Sequence, residues 1–158
     1  MIRPLQPSDA RFLCSIFSGN DEYYNIFFDP ETDISEWEIR VGHILSDQNT
    51  HHFIIENDHE PVGWFSFEDL SDTECSIGII VVKREHLHCG YGREALLWLT
   101  DRCRKRGAAT LTLNVNQNNN RAIRFYRQFG FTIYAEEIIP ECNDAVNLKQ
   151  YKMKLDIA

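Results

Sequence analysis

The amino-acid sequence predicts an α/β (α+β) fold, in which one mixed, mostly antiparallel, twisted sheet of about seven strands is flanked by helices. Short apolar runs separated by turn residues fill the middle of the chain, and this pattern is typical of an antiparallel meander. Two helical patterns that end at Gly107 and Gly130 alternate with the later strands. No linker or internal repeat interrupts the 158 residues, so residues 1–158 are expected to form one domain.

The N-terminal third is predicted to contain one strand and two helices. The strand spans residues 2–5, and the first helix follows the N-cap signal Pro7-Ser8-Asp9 and carries apolar residues at helical spacing. A second helix is expected to start near Ile34. Residues 21–33, which lie between the helices, are aromatic and acidic with little periodicity, and we expect a loop there.

The rest of the chain alternates between predicted strands and helices. Strands are expected at residues 53–55, 62–67, 75–82, 111–115, 131–139 and 146–155. Helices are expected from about Gly92 to Arg106 and from Asn120 to Phe129, each followed by a glycine that ends it.

Charge and composition exclude several classes of function. The chain has 16 Lys and Arg against 24 Asp and Glu, a net charge of −8, which opposes binding to nucleic acid and to anionic membranes. No run approaches the roughly 20 apolar residues of a membrane span, and the N-terminus has no signal core, so a cytoplasmic location is expected. The five cysteines are odd in number and widely spaced, which argues against a disulfide framework.

A glycine-rich connection follows the third meander strand. Gly90 and Gly92 precede a predicted helix, where glycines let the backbone turn tightly and present N–H groups at the positive end of the helix dipole. Such a turn can hold a pyrophosphate, although Gly-x-Gly alone is equally consistent with a tight connection. Neither Gly-x-Gly-x-x-Gly nor a P-loop is present.

Histidines and a cysteine near this connection invite a metal interpretation, which we reject. His86, His88 and Cys89 fall inside the proposed pyrophosphate loop, and His51-His52 has no partner at zinc-ligand spacing. The prediction is therefore no metal.

A second motif makes the function specific. The run Asn119-x-x-Ala122-Ile123-x-x-Tyr126-x-x-x-Gly130-Phe131 resembles a signature of the GNAT superfamily of acyl-CoA N-acyltransferases, and Gly90-x-Gly92 stands upstream where that family places its pyrophosphate loop. The resemblance covers about residues 53–155, and the N-terminal third matches in layout. The phrase Gly-Tyr-Gly-Arg-Glu-Ala looks most like the branch that contains ribosomal-protein N-terminal and amine acetyltransferases.

The resemblance implies acetyl-CoA as the co-substrate and a sheet that is splayed near Val82 and Val115 to admit it. The backbone of Ile80, Val81 and Val82 would pair with the pantetheine arm. The pyrophosphate would be held by the loop residues Leu87, His88, Cys89, Gly90, Gly92 and Arg93. Leu87 stands where the family has Arg or Gln, and His88 and Arg93 are candidate substitute donors.

Tyr126 is the predicted catalytic acid. Its family counterpart is proposed to protonate the departing thiolate, which a phenol near the sulfur can do. The structural alternative is that Phe125, Tyr126 and Phe129 form only the apolar face of a helix. Asn119 is expected to contact the pantetheine or to cap the helix, and the two roles are compatible.

The proton acceptor for the amine is less well defined by the sequence. Many relatives have a Glu just ahead of the Ile-Gly pair in this strand, where this chain has Ser76. Glu74 and Glu68 are neighbouring candidates that could act through water, and each is otherwise a solvated carboxylate at a strand end. Trp64 is interpreted as a core residue rather than as part of an acceptor cleft.

The predicted function is transfer of an acetyl group from acetyl-CoA directly to a primary amine of a small molecule or a basic peptide terminus. Two alternatives stay open: a catalytically silent acyl-CoA-binding regulatory domain, which the departures at Leu87 and Ser76 suggest, and a basic-peptide-binding module without CoA. A homodimer is expected on general grounds.

A segment rich in carboxylates and aromatic rings is the candidate acceptor-binding region. Its members are Asp21, Glu22, Tyr23, Tyr24, Phe27, Phe28, Asp29, Glu31, Asp33, Glu36, Trp37 and Glu38. Exposed rings and carboxylates would favour a cationic acceptor. The alternative is a solvated acidic loop whose rings are packed in the core.

Overall fold

A computed structural model describes residues 1–19, Tyr24, 28–140 and 147–158. The strands are β1 (Ile2–Pro4), β2 (Thr50–Asn57), β3 (Glu60–Asp69), β4 (Glu74–Val82), β5 (Thr110–Asn116), β6 (Thr132–Pro140) and β7 (Asn147–Asp156). The helices are α1 (Ala10–Phe17), α2 (Ile34–Ser46), α3 (Tyr91–Lys105) and α4 (Asn120–Phe129), with short 3₁₀ turns at Pro7–Asp9 and Arg84–His86. The predicted loop at 21–33 and the start of the last strand at residue 146 lie partly outside these residues.

The described strands form one seven-stranded sheet in the order β1-β2-β3-β4-β5-β7-β6. The pairs β1–β2, β5–β7 and β6–β7 are antiparallel. β4 and β5 pair in parallel, with residues 74–76 opposite residues 110–112. The predicted mixed, mostly antiparallel sheet flanked by helices is therefore confirmed. None of the described helices has the length and apolar character that crossing a bilayer requires.

The first helix follows Pro7-Ser8-Asp9, as the sequence predicted, but the Asp9 side chain does not cap it. Pro7–Asp9 form a 3₁₀ turn with Gln6 at its N-cap position, and α1 begins only at Ala10. The Asp9 carboxylate accepts from the Gln6 N–H at 2.7 Å and from two nitrogens of Arg3 at 2.8 Å. Arg3 also pairs with Glu56, so β1, β2 and the turn are joined by one guanidinium. This ion pairing, which raises the pKa of Arg3, explains why Asp9 closes the turn instead of capping α1.

One compact unit comprises residues 1–67 and 79–98. Its core is a cluster of aromatic rings that includes Phe17, Trp37 and Trp64, with the Phe17 and Trp37 rings stacked at 5.4 Å. Trp64 is only 2% exposed, which agrees with its assignment to the core.

A second compact unit comprises residues 68–78 and 99–158. Its buried side chains include Leu99, Leu111 and Met153. Gly107 (φ 98°) and Gly130 (φ 118°) have the left-handed backbone that ends α3 and α4, as the helical patterns predicted.

A histidine in the first unit is held neutral by its surroundings. The Trp64 indole N–H donates to Nδ1 of His52 at 3.1 Å, which requires an unprotonated Nδ1. Burial, followed by repulsion from His51, lowers the pKa of His52 to about 4. The folded protein therefore resists protonation at this position.

We predict that this histidine gives the folding free energy a specific pH dependence. The pKa of His52 in the folded protein lies below the unfolded value of about 6.5. The contribution of neutral His52 to the free energy of unfolding is therefore fully present above pH 6.5 and is lost as the pH falls towards 4. Chemical denaturation at several pH values should show that His52→Gln loses less stability across this window than wild type does. The difference should be about 1–2 kcal/mol after allowance for partial exposure. Parallel pH profiles for the two proteins would contradict this explanation.

Candidate active site

The hydrogen bonding of β4 decides which backbone groups are left for a ligand. β4 follows β3 through a short turn and pairs with it, and the Lys83 N–H donates to the Val62 carbonyl at 2.7 Å. Bonding direction alternates along an antiparallel strand, so the backbone of Val81 also faces β3. The backbone groups of Ile80 and Val82 face away from β3. Of the three predicted pantetheine-binding residues, these two have the direction that an added strand would need.

The carbonyl of Val82 already has a partner inside the protein. It accepts a hydrogen bond of 2.7 Å from the phenol of Tyr24, and both residues are buried, at 7% and 4% exposure. Sequence reasoning placed Tyr24 in an acidic loop and assigned it no link to β4. The only feature of the sequence that could have indicated burial of Tyr24 was the density of aromatic residues around it.

The sign of φ alternates along the loop after β4, as it does in backbone turns that can bind anions. His88 (φ 62°) and Gly90 (φ 88°) have positive φ, whereas Cys89 between them does not. Alternation of this kind turns successive N–H groups towards one side. The Glu94 N–H donates to the Gly90 carbonyl at 3.0 Å, so α3 starts directly after the turn and adds its first-turn N–H groups and dipole.

Most of the residues of this loop are exposed. A Cβ on Gly90 would meet no atom within 4 Å, so glycine is favoured there by the positive φ and not by crowding. His88, Cys89 and Arg93 are exposed, while Leu87 and Gly92 are half-buried. The Leu87 carbonyl accepts a 3.6 Å contact from the Cys89 thiol. The predicted pyrophosphate-loop residues thus form one continuous turn and helix start.

In the second unit, Asn119 is the N-cap residue of α4, the helix that carries Tyr126. The Asn119 side-chain oxygen accepts from the Ala122 N–H at 3.2 Å, which confirms the predicted capping role. Tyr126 is 8% exposed, and its ring packs edge-on against Phe131 at 5.5 Å. The Tyr126 carbonyl accepts the N–H groups of Gly130 and Phe131, so the end of the sequence motif closes the helix that carries the tyrosine.

The two candidate proton acceptors lie on either side of the β3–β4 turn. Glu68 is exposed near the end of β3, and Glu74 is half-buried at the start of β4. The Glu74 carbonyl accepts from the Leu70 and Ser71 N–H groups, which fixes the turn. Their assignment as proton acceptors remains a prediction.

The carboxylates of the acidic segment are exposed, but two of them have structural roles. The described members Asp29, Glu31, Asp33, Glu36 and Glu38 are all exposed. Asp33 caps α2 by accepting from the Glu36 N–H at 2.9 Å, and Asp29 accepts from the Glu31 N–H at 2.9 Å. Asp21, Glu22, Tyr23 and Phe27 lie outside the described residues.

Of the two interpretations of this segment, the described rings follow the one in which the rings are packed in the core. Tyr24 and Trp37 are 4% and 1% exposed, and Phe28 is half-buried against Trp37 at 4.9 Å. The guanidinium of Arg40 lies 4.7 Å from the Phe28 ring centre and 4.8 Å from that of Trp37. The rings are packed in the core because burial of apolar surface is favourable. The guanidinium of Arg40 makes cation–π contacts with Phe28 and Trp37.

Metal-ligand residues are dispersed in the part of the chain that the structure describes, where no three His, Cys, Asp or Glu side chains are grouped to hold an ion. Cys14, Cys75, Cys89 and Cys103 are free thiols. Burial raises the pKa of Cys75 and of Cys103, which keeps both protonated and unreactive.

Comparison with known proteins identifies the family. Residues 15–131 match the sequence model of the Acetyltransferase (GNAT) family, and the chain belongs to this family. No curated protein matches significantly.

Solved structures share the fold across almost the whole chain. The ribosomal-protein-S18-alanine N-acetyltransferase from Escherichia coli has a TM-score of 0.74 at 22% identity, covering 100% of this chain and 94% of that chain. Spermidine N-acetyltransferase from Vibrio cholerae, in complex with CoA and spermine, has a TM-score of 0.80 at 18% identity, covering 99% and 94%. An aminoglycoside 6′-N-acetyltransferase complexed with coenzyme A has a TM-score of 0.75 at 15% identity, covering 100% and 97%.

Proposed function

We propose that this protein is an acetyl-CoA-dependent N-acetyltransferase that transfers the acetyl group directly to a primary amine. The observation that carries the proposal is the turn at His88–Gly90, which follows β4 and opens directly into α3 at the position of the family's pyrophosphate loop. The names of three structural neighbours support an amine acceptor, since they are acetyltransferases of spermidine, of an alanine of protein S18 and of aminoglycosides.

Backbone groups would provide most of the CoA binding. In the proposal, the turn at 87–90 and the first turn of α3 donate N–H groups to the pyrophosphate, with Arg93 and His88 as cationic or polar neighbours. Ile80 and Val82 would pair with the pantetheine amides as if these formed an added strand. Because main-chain donors dominate, the apolar Leu87 is compatible with binding.

The chemistry requires a neutral amine and a stabilised leaving thiolate. The amine nitrogen attacks the thioester carbonyl, a C–N bond forms, and the C–S bond breaks as the electron pair moves to sulfur. In the proposal, Tyr126 donates its proton to the thiolate and recovers one from the acylated nitrogen through solvent. Glu68 or Glu74 would accept the proton whose removal makes the amine nucleophilic, and would then release it to solvent.

Gly92→Val should strongly weaken CoA binding. A branched side chain in the first turn of α3 would obstruct the approach of the pyrophosphate to the backbone, and we expect the CoA Kd to rise at least tenfold in calorimetry. Gly42→Val in α2 is the matched control, because it makes the same change in an exposed helix position where a Cβ meets no atom within 4 Å. Unchanged affinity in folded Gly92→Val would remove the loop assignment.

Tyr126→Phe should lower kcat by about ten- to a thousandfold while leaving the acetyl-CoA affinity nearly intact. The phenol acts on the departing thiolate, so its loss is felt mainly in the transition state. Thiol release measured with a panel of amines tests this, and Tyr134→Phe, at a tyrosine that is 47% exposed, is the control. Full turnover by Tyr126→Phe would make Tyr126 a packing residue. If wild type binds CoA but acetylates no amine, the silent acyl-CoA-binding alternative is favoured.

We also propose that the exposed carboxylates around α2 favour cationic acceptors. Asp29 and Asp33 must be kept because they cap backbone N–H groups. Changing Glu31, Glu36 and Glu38 to Gln should raise the KM for a polyamine about two- to tenfold, and added salt should have the same effect in wild type. A control with the same charge change carries Asp58→Asn, Glu60→Gln and Asp72→Asn. Equal acceptor KM values in the two triple variants would contradict the proposal, as would a preference for anionic amines.

A further inference from the structure

We propose that Tyr24 controls CoA affinity by occupying the backbone acceptor that the pantetheine arm uses. This inference rests on the proposed function, because it concerns the same binding strand. It assigns to Tyr24 a role in competition with the cofactor, which goes beyond the hydrophobic packing of its ring.

The contact that suggests this role is short, buried and distant in sequence. The Tyr24 phenol donates to the Val82 carbonyl at 2.7 Å across 58 residues of sequence. The ring is fixed in the aromatic core, with Phe17 edge-on at 6.4 Å. A buried carbonyl without a partner is costly, so the phenol stabilises the strand when no ligand is bound.

The strand geometry makes the phenol and the pantetheine arm competitors. An added strand bonds to the residues of β4 that face away from β3, which are Ile80 and Val82. The Val82 carbonyl is therefore the acceptor that a pantetheine amide N–H would use at this end of the strand. The phenol oxygen stands in that direction and occupies an acceptor position of the carbonyl, and both residues are buried. CoA would have to displace the phenol before its arm can pair fully with β4.

Competition of this kind lowers the apparent affinity for CoA, because the free energy needed to displace the phenol offsets part of the binding free energy. Removal of the hydroxyl should therefore tighten CoA binding. A net hydrogen bond of ordinary strength corresponds to about a two- to tenfold decrease in the CoA Kd. Loss of a merely structural hydrogen bond would leave affinity unchanged or weaken it, so the direction of the effect identifies the role.

The test compares Tyr24→Phe with wild type by calorimetry, using CoA and 3′-phosphoadenosine 5′-diphosphate. The second ligand carries the pyrophosphate but lacks the pantetheine arm. We expect Tyr24→Phe to bind CoA about two- to tenfold more tightly and to bind the arm-free nucleotide with unchanged affinity. Tyr24→Leu, which also lacks the donor, should change CoA affinity in the same direction and serves as a second variant.

Three outcomes would overturn the inference. Unchanged CoA affinity would show that the phenol does not compete, and weaker CoA binding would show that it supports the bound state. An equal increase in affinity for CoA and for the arm-free nucleotide would show that the substitution acts at the pyrophosphate loop. Failure of wild type to bind CoA at all would instead remove the proposed function, and with it this inference.

Discussion

The alternation of backbone hydrogen bonds along β4 is the constraint on which the functional interpretation depends. The hydrogen bond from the Lys83 N–H to the Val62 carbonyl shows which residues of β4 point their backbone groups towards β3. The directions of the backbone groups of the neighbouring residues follow from it, because bonding direction alternates along the strand. Ile80 and Val82 face away from β3 because Val81 and Lys83 face it. A shift of one residue in the pairing of β3 and β4 would exchange these roles and turn the buried side chain of Val81 to the opposite face.

The sequence predicted the order of the described strands and helices because each of these elements carries its own local signal. Gly107 and Gly130 end helices through positive φ, and Asn119 caps α4, all of which depend on a few adjacent residues. The extension of β2 back to Thr50 was not predicted, because polar His51 and His52 interrupt the apolar run. The His52 carbonyl accepts from the Leu5 N–H at 3.0 Å, a contact that is remote in sequence.

In the candidate site, too, the features that depend on local sequence were predicted and those that depend on tertiary contacts were not. The turn at His88–Gly90 and the helix of Tyr126 were predicted from motifs that are local in sequence. The contacts of Tyr24 with Val82 and of Arg40 with Phe28 were not predictable, because each joins separate segments and leaves no periodic pattern. For the same reason, the sequence left open whether the rings of the acidic segment are exposed or buried, and tertiary packing buries the described ones.

The first strand of the sheet has a consequence for association between molecules. β1 has three residues, ends at Pro4 and stands at one edge of the sheet. Proline has no N–H to offer to a neighbouring chain, and so short a strand offers few other groups. Arg3, in the middle of β1, has its side chain bound to Asp9 and Glu56. This edge of the sheet is thus poorly suited to recruiting a strand from a second molecule, and that protects the protein from edge-to-edge aggregation at this end.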